Sequence, residues 1–282
     1  MQIRKQDLSV LLLYYLGYSR IRNWVYRLQR KPITRFVTFH DLSLDAIGTF
    51  EDNLRFLKQS TNVVSIDDFS SGRLSTDKIN VVITFDDGYK SWVTDALPIL
   101  KKLELPATFF VSSGFVGLLK EDEVKFVRTK LLLTPDPGKI PGGLSREDLN
   151  RIVKEGFTVG GHTSNHCNLA GIVDSAQLRH EIGEDKSNLE SMIGKKIEYF
   201  AYPSGAYQNP EVDLAEVLKE FGYKAAVTTL SGNNTVSTSP YLLHRELTGA
   251  SMPGLVFRAR IYGNYDPVRF LKKQVNKILR RR

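Results

Sequence analysis

The stretch that decides the fold is Val81-Val82-Ile83-Thr84-Phe85-Asp86-Asp87-Gly88, a β-branched and aromatic run that ends in two adjacent carboxylates and a glycine. Such a run is typical of a strand that is buried in a mainly parallel sheet. Open α/β sheets and (β/α) barrels place their chemistry just after the carboxyl ends of their strands. The stretch therefore predicts a buried strand that delivers Asp86 and Asp87 to a functional site.

Outward from this stretch, apolar runs alternate with helical patterns, which predicts repeated βα units around a mainly parallel sheet. The segment Gly114–Gly143 interrupts the alternation and is rich in Pro and Gly, so we interpret it as an insertion near the rim that shapes substrate entry. Strands are predicted at Thr34–Phe39, Val63–Ile66, Ile79–Phe85, Ala107–Val111, Phe157–Gly160, Tyr199–Tyr202, Lys224–Thr229 and Tyr241–Arg245, and helices at Phe50–Gln59, Trp92–Leu103, Arg146–Glu155, Asp174–Ile193 and Glu211–Phe221.

A second polar segment, Gly161-His162-Thr163-Ser164-Asn165-His166, follows a later predicted strand. Histidines spaced i and i+4 can point the same way on one helical turn, and with a carboxylate they form a set that suits zinc or a related divalent metal. A single histidine near a strand end is usually just hydrogen-bonded. The joint occurrence of both histidines with the Asp pair indicates a metal hydrolase.

Four motifs resemble those of the polysaccharide deacetylases of the nodulation-protein type, which belong to carbohydrate esterase family 4. They are Thr-Phe-Asp-Asp-Gly at 84–88, Pro-Ala-Thr-Phe-Phe-Val at 106–111, His-Thr-x-x-His at 162–166 and Phe-Ala-Tyr-Pro-Ser-Gly at 200–205. The likeness runs from Phe36 to Thr248 and keeps the order and spacing of the family.

The resemblance implies a distorted (β/α) barrel of seven strands that hydrolyses acetyl groups from a sugar of a glycan or of a lipid-linked glycan precursor. It implies N-acetyl, a non-peptide carbon–nitrogen bond, ahead of O-acetyl. The implied metal ligands are Asp87, His162 and His166, and the implied metal is zinc, although cobalt, nickel or iron can occupy such ligands too. Asp86 is the implied general base that takes a proton from the attacking water.

The resemblance also assigns the oxyanion donor to the main chain of Ser204, in the motif at 200–205. A nucleophilic Ser204 is disfavoured because no G-x-S-x-G elbow surrounds it. The commoner family form has an Arg where this chain has Ala201, and that Arg orients the base. We assign the orientation of the base to Arg245, because Arg245 lies at a predicted strand end and its planar guanidinium can form a bidentate pair with a carboxylate.

Two histidines compete for the role of general acid. The family usually supplies one from a late Leu-x-His motif, whereas Leu242-Leu243-His244-Arg245 has the histidine displaced by one position. A one-residue offset in a strand turns the side chain to the other face. His40, at the end of the first predicted strand, is therefore the competitor, and His244 could equally be a buried structural residue.

Composition fits one barrel-sized domain with appended ends, since 282 residues with 41% hydrophobic and 25% charged side chains describe an ordinary globular chain. We expect a deacetylase domain at 33–250, a basic amphipathic segment at 1–32 and a basic helical tail at 251–282. The single cysteine excludes an intramolecular disulfide, which fits a cytoplasmic protein.

Much of the net charge of +8 lies in the two ends. The apolar run Leu8–Tyr18 is too short to span a bilayer and lacks a cleavage signature, so we expect neither a signal peptide nor a transmembrane helix. Leu8–Arg30 mixes Leu, Tyr and Trp with arginines, as interfacial helices do. Two interpretations of these basic ends remain. Both ends are solvated helices whose apolar sides pack on the barrel, or they attach the protein peripherally to the inner face of the membrane.

Two other function classes deserve comparison with the deacetylase. A catalytically silent glycan-binding or scaffold protein on the same barrel would explain the missing Arg at Ala201, but it has no chemical need for the intact Asp pair and histidines. The calculated pI of about 9.4 is compatible with nucleic-acid binding, but no recognised nucleic-acid motif accompanies the positive charge. We therefore expect no nucleic-acid partner.

Overall fold

Most of the barrel strands are buried on both faces. The computed structural model describes residues 5–134, 140–235 and 237–279. Its strands are β1 (Thr34–Phe39), β2 (Asn62–Val63), β3 (Asn80–Asp87), β4 (Thr108–Val111), β5 (Thr158–Gly161), β6 (Tyr199–Ala201), β7 (Ala225–Val227) and β8 (Arg245–Leu247).

The strands run parallel in the order β7-β6-β5-β4-β3-β1-β8, with the short β2 paired to the start of β3. The two edges of this sheet approach each other, because Leu243, just before β8, forms a parallel bridge with Val227 of β7. The Arg245 N–H also donates to the Leu230 carbonyl. The result is a nearly closed barrel of seven strands, which confirms the predicted fold class.

Helices cover the outside of the barrel, and some of them begin or end at caps that the sequence marks. Ser145 and Asp148 form a reciprocal capping box, the Asp174 side chain accepts from the Ala176 N–H, and Gly194 ends its helix at φ 66°. The helices are α1 (Lys5–Tyr15), α2 (Tyr18–Leu28), α3 (Ile47–Ser60), α4 (Ile66–Ser70), α5 (Leu97–Lys102), α6 (Lys120–Thr129), α7 (Arg146–Lys154), α8 (Ser175–Ile193), α9 (Leu214–Glu220), α10 (Gly254–Ile261) and α11 (Asp266–Leu279).

Side chains of β3 alternate between two apolar clusters. Val81, Ile83 and Phe85 pack outward in the large cluster between strands and helices, whereas Val82 lies in the smaller cluster inside the barrel. Within the inner set, polar side chains replace apolar ones toward the carboxyl end, from Val82 through Thr84 to Asp86. The alternation therefore aims Asp86 into the barrel mouth.

Several predicted elements differ from the observed ones. The predicted strand Tyr241–Arg245 is wrong: Pro240 starts a helical turn, and the strand begins only at Arg245. The predicted strand Val63–Ile66 ends at Val63, because Ile66 starts α4 after a Ser65 cap. The predicted helix at Trp92–Leu103 opens with a π-helical stretch, Trp92–Ala96.

The Gly114–Gly143 insertion contains a helix that was not predicted, α6. The insertion returns along the rim, where Gly143 bridges Tyr89 and the Leu144 N–H donates to the Gly88 carbonyl. Its residues 135–139, which include two of the prolines that suggested an insertion, lie outside the described residues. Within the part of the chain that the structure describes, no helix is both long and apolar enough to cross a membrane.

Candidate metal centre and active site

Two neighbouring carboxylates at the end of β3 take different directions. Asp86 continues the inward alternation of the strand. Asp87 has φ 93°, in the left-handed region that non-glycine residues rarely occupy, and Gly88 follows at φ 117°. Such backbone strain persists only where surrounding structure enforces it, and it clusters at functional sites. The turn brings Asp87 toward the loop that follows β5.

Asp87 meets both predicted histidine ligands at the barrel rim. Its Oδ1 lies 3.3 Å from His162 Nε2 and 3.4 Å from His166 Nε2, and the three ligand atoms all lie within 4.8 Å of one another. Asp87 and His162 are buried, and His166 is largely so. The structure therefore brings Asp87, His162 and His166 together as the sequence predicted.

The two histidines do not share a helical turn, which corrects the geometric reason given for their pairing. They are separated by a turn in which Thr163 and His166 both have positive φ, 61° and 51°. The carbonyl of Glu181 in α8 accepts from the Ser164 N–H, and its carboxylate accepts from the main-chain and side-chain N–H groups of Asn165. This left-handed turn folds the segment back so that both rings face Asp87.

Both histidine rings are oriented by main-chain carbonyls. His162 Nδ1 lies 2.7 Å from the Ala201 carbonyl oxygen, and His166 Nδ1 lies 3.0 Å from that of Lys130. A carbonyl can only accept, so each Nδ1 carries the hydrogen and each neutral ring directs the Nε2 lone pair at Asp87. Two lone pairs and a carboxylate that face one another repel unless a cation or a proton lies between them. This donor set fits a divalent metal with two nitrogen ligands and one oxygen ligand.

The titration of the three groups reflects their mutual contact. Burial raises the pKa of Asp87, but a hydrogen bond from His162, when that ring is protonated at Nε2 as well, and the charges of nearby protonated histidines lower the pKa by more, so the net pKa is well below its ordinary value. Burial lowers the pKa of His162, and its contacts with Asp87 and Asp86 outweigh that and raise it. Burial and the neighbouring His162 lower the pKa of His166. Asp87 is therefore ionised at neutral pH, as a metal ligand must be.

Asp86 forms a buried ion pair with Arg245. Arg245 Nη1 lies 2.6 Å from Asp86 Oδ1, and neither side chain is more than 5% exposed. The predicted bidentate contact is wrong: the same Nη1 also contacts the Thr38 and Thr84 hydroxyls, and Nη2 is buried without a hydrogen-bond partner among the described residues. Burial raises the pKa of Asp86, but the charges of Arg245 and His162 outweigh it and hold the pKa below its ordinary value.

A family model described as "Polysaccharide deacetylase" matches residues 73–226, more than half of the chain. This chain belongs to the polysaccharide deacetylase family. A relative from Bacillus subtilis (strain 168), "Putative polysaccharide deacetylase YxkH", is 28% identical over 181 residues, which cover 64% of this chain. The match covers only 56% of that relative, so the chain spans little more than half of its length.

Two solved structures share the fold. The Streptococcus pyogenes deacetylase PplD, solved in complex with acetate, superposes with a TM-score of 0.64 at 20% identity, over 82% of this chain and 99% of PplD. IcaB from Ammonifex degensii superposes with a TM-score of 0.62 at 24% identity, over 82% and 97% of the two chains. These likenesses establish the barrel architecture.

In this barrel the Phe-Ala-Tyr-Pro-Ser-Gly motif at 200–205 lies beside His162. Ala201, which stands where the commoner family form has an Arg, is buried, and its carbonyl orients His162. Ser204 follows in a turn at φ 56°, and its side chain is exposed. The Gly205 and Ala206 N–H groups close that turn by donating to the carbonyls of Tyr202 and Pro203.

The two candidate acids lie in different surroundings. His40 follows β1 at an exposed position, and its charge acts on both Asp86 and Asp87. His244 points away toward the 232–234 loop: its Nδ1 lies 3.3 Å from the Asn233 carbonyl oxygen, and its main-chain N–H donates to Asn234 Oδ1. Of the two candidate acids, His40 is thus the one that interacts electrostatically with the carboxylate pair.

Three groups that no motif marks hold this site in shape. Asp185 of α8 is fully buried and accepts from the main-chain N–H groups of Ser113 and His162, each at 2.8 Å. Glu181 holds the left-handed turn, and the Lys130 carbonyl at the end of α6 orients His166. Each acts through main-chain groups that are distant in sequence, so residue type and spacing give no signal for them.

Proposed function

We propose that this chain is a metal-dependent hydrolase that removes acetyl groups, N-acetyl ahead of O-acetyl, from a sugar of a glycan or of a lipid-linked glycan precursor. The observation that carries the proposal is the convergence of Asp87, His162 and His166 beside a second carboxylate, Asp86, that is paired to Arg245 instead. Family membership supports the reaction class. Zinc is the metal that this ligand set favours.

A bound divalent cation supplies Lewis acidity, which polarises an acetyl carbonyl and makes water a nucleophile near neutral pH. Asp86 accepts the proton of that water. Arg245 engages its Oδ1, so proton transfer falls to Oδ2, and the low pKa of Asp86 keeps it ionised and ready as a base. The separation of roles between two adjacent carboxylates follows from their different partners.

The remaining roles fall to groups around the rim. The Ser204 main-chain N–H stabilises the oxyanion of the tetrahedral intermediate, because its turn lies directly after β6, whose Ala201 carbonyl holds His162. His40 protonates the leaving amine, because it lies near both carboxylates whereas His244 is directed at the Asn233 carbonyl.

Acetate release tests the proposal. We expect the purified protein to release acetate from one or more members of a panel of N-acetylglucosamine oligomers and lipid-linked saccharides, with loss of activity on adding a chelator and recovery on adding Zn²⁺. Asp86→Asn should bind Zn²⁺ and lose activity by about 100-fold or more, whereas His162→Ala should lose Zn²⁺ binding itself. His180→Ala is the matched control, because His180 is exposed on α8 and pairs with Glu184.

Three results would contradict the proposal at different points. Full activity in Asp86→Asn would remove Asp86 as the base, and activity that persists in metal-free protein would remove the metal. Oligosaccharide binding without acetate release from any member of the panel would favour the catalytically silent glycan-binding protein.

A further inference from the structure

Helix α2 presents its polar side to the protein. Ser19 and Asn23 are buried, and Arg22 between them donates to Asp266 at 2.6 Å and to the carbonyls of Tyr262 and Gly263. A helix on the surface of a soluble domain normally does the reverse and packs its apolar side inward. The polarity of α2 is therefore inverted with respect to the barrel.

The outward side of α2 is apolar. Ile21, Trp24, Val25 and Leu28 follow the i, i+3, i+4, i+7 spacing of one helical face and are 64%, 57%, 39% and 65% exposed. Helix α1 precedes α2 across Gly17, which has φ 76°, and adds exposed apolar side chains of its own. Its contributors are Leu8, Leu12, Tyr15 and Leu16, which are 60–71% exposed. We call these eight residues the α1–α2 face. Eight large apolar side chains exposed within one short segment are typical of an interaction surface.

Along residues 8–31, directly after Asp7, the charge has a single sign. Residues 8–31 contain five basic residues and no Asp or Glu. Four of the five, Arg20, Arg27, Arg30 and Lys31, are exposed, and the fifth is the Arg22 that is paired with Asp266. Next to the face lies a cleft of about 280 Å³ whose lining is Tyr14, Ser19, Arg20, Asn23, Arg27 and Tyr262.

We propose that the α1–α2 face docks on the surface of an anionic lipid bilayer, with the apolar side chains at the level of the acyl boundary and the arginines on lipid phosphates. An apolar stripe flanked by long basic side chains suits an interface in which the stems lie in the apolar layer and the charges reach the head groups. The cleft with Arg20 and Arg27 gives a phosphate a partly enclosed position.

The charge of the α1–α2 face disfavours a second copy of this chain as its binding partner. A twofold interface would set one α1–α2 face against another and bring arginines against arginines, with no acidic residue in 8–31 to neutralise them. An anionic bilayer offers the opposite charge and an apolar layer together. This inference is independent of the proposed catalytic function, because its test needs no substrate.

Vesicle binding followed by tryptophan fluorescence tests the proposal. The chain has two tryptophans, and Trp92 is fully buried with its Nε1 donating to the His40 carbonyl, so a spectral change on binding reports on Trp24. With vesicles of phosphatidylcholine and phosphatidylglycerol, we expect the emission of Trp24 to shift to the blue and the protein to co-sediment. Binding to vesicles of phosphatidylcholine alone should be weaker by about tenfold or more. High salt should weaken the binding.

Paired variants distinguish vesicle binding through the α1–α2 face from nonspecific binding. Ile21→Ser with Leu28→Ser should abolish co-sedimentation, and Arg20→Gln with Arg27→Gln should weaken binding to the anionic vesicles by about tenfold or more. Leu44→Ser with Leu119→Ser is the matched control, because both residues are more than 75% exposed and lie elsewhere in the chain. Binding that survives both α1–α2 variants overturns the proposal, as does absence of binding by the folded wild type. A dimer in solution that the Ile21→Ser and Leu28→Ser changes dissociate would overturn it in favour of self-association.

Discussion

At the residue scale, the Asp86–Arg245 pair sets the pH range in which the base is ionised. A base works deprotonated, so activity falls as pH falls through its pKa. Burial pushes the pKa of Asp86 up and the Arg245 charge pulls it down. Arg245→Met should therefore move the acid limb of the kcat/KM profile upward by about one to three pH units. Arg245→Lys, which keeps the charge, should move it less. An acid limb that stays in place in Arg245→Met would show that Arg245 does not control the base.

The sequence identified the residues of the site better than it identified their geometry. Asp87, His162 and His166 carry side-chain chemistry in a recognisable spacing, and the structure brings their ligand atoms together. The turn between the histidines was predicted as helical because residue type alone does not reveal the positive φ of Thr163 and His166. Arg245 forms one hydrogen bond with Asp86 instead of two, and the same Nη1 also contacts the Thr38 and Thr84 hydroxyls. No local sequence pattern predicts these contacts.

At the element scale, α8 positions the loop that carries both histidines. Asp185 accepts two main-chain N–H groups, one of them from His162, and burial raises its pKa to about 7 despite those hydrogen bonds. Asp185→Asn would set an amide N–H₂ against an N–H donor. We expect it to cost about 1–3 kcal/mol of unfolding free energy and to weaken Zn²⁺ binding by about 10–100-fold. Urea unfolding and metal titration measure the two effects.

The neighbouring Glu184 provides the control for that change. Glu184→Gln alters a partly exposed carboxylate on the same helix, paired only with His180 among the contacts that the structure describes, and should change stability by less than about 0.5 kcal/mol. Equal effects of the two substitutions would mean that Asp185 does not support the loop.

Elements with strong patterns were predictable and those with weak patterns were not. The buried strands β1, β3 and β4 were predicted to within two residues at each end, because continuous apolar runs have few alternatives in a protein of this size. Helix α6 was missed because it lies in a segment rich in Gly and Pro and buries only Phe126 and Val127. The start of β8 was misplaced because Tyr241, Leu242 and Leu243 are apolar without being extended throughout.

At the scale of the whole molecule, β8 connects the site to the helices at both ends of the chain. Arg245 points into the barrel at Asp86, and the next residue, Glu246, points outward, as strand alternation requires. Glu246 is fully buried and accepts from Arg35 of β1 at 2.9 Å and from Arg269 of α11 at 2.6 and 2.8 Å. Asp266 also pairs with Arg35 and holds Arg22 of α2. One ion-pair network thus joins α2, β1, β8 and α11.

Removing Glu246 should destabilise the whole molecule, because it leaves the fully buried Arg35 with Asp266 as its one remaining carboxylate partner among the described residues. Breaking a buried ion pair by removing one partner costs several kcal/mol, since the other charge stays desolvated. We expect Glu246→Gln to lower the unfolding free energy by about 3 kcal/mol in urea titration. Glu104→Gln breaks an exposed pair with Lys58 and should cost less than about 1 kcal/mol. A loss no larger than that of the control would mean that the network does not bind the terminal helices to the barrel.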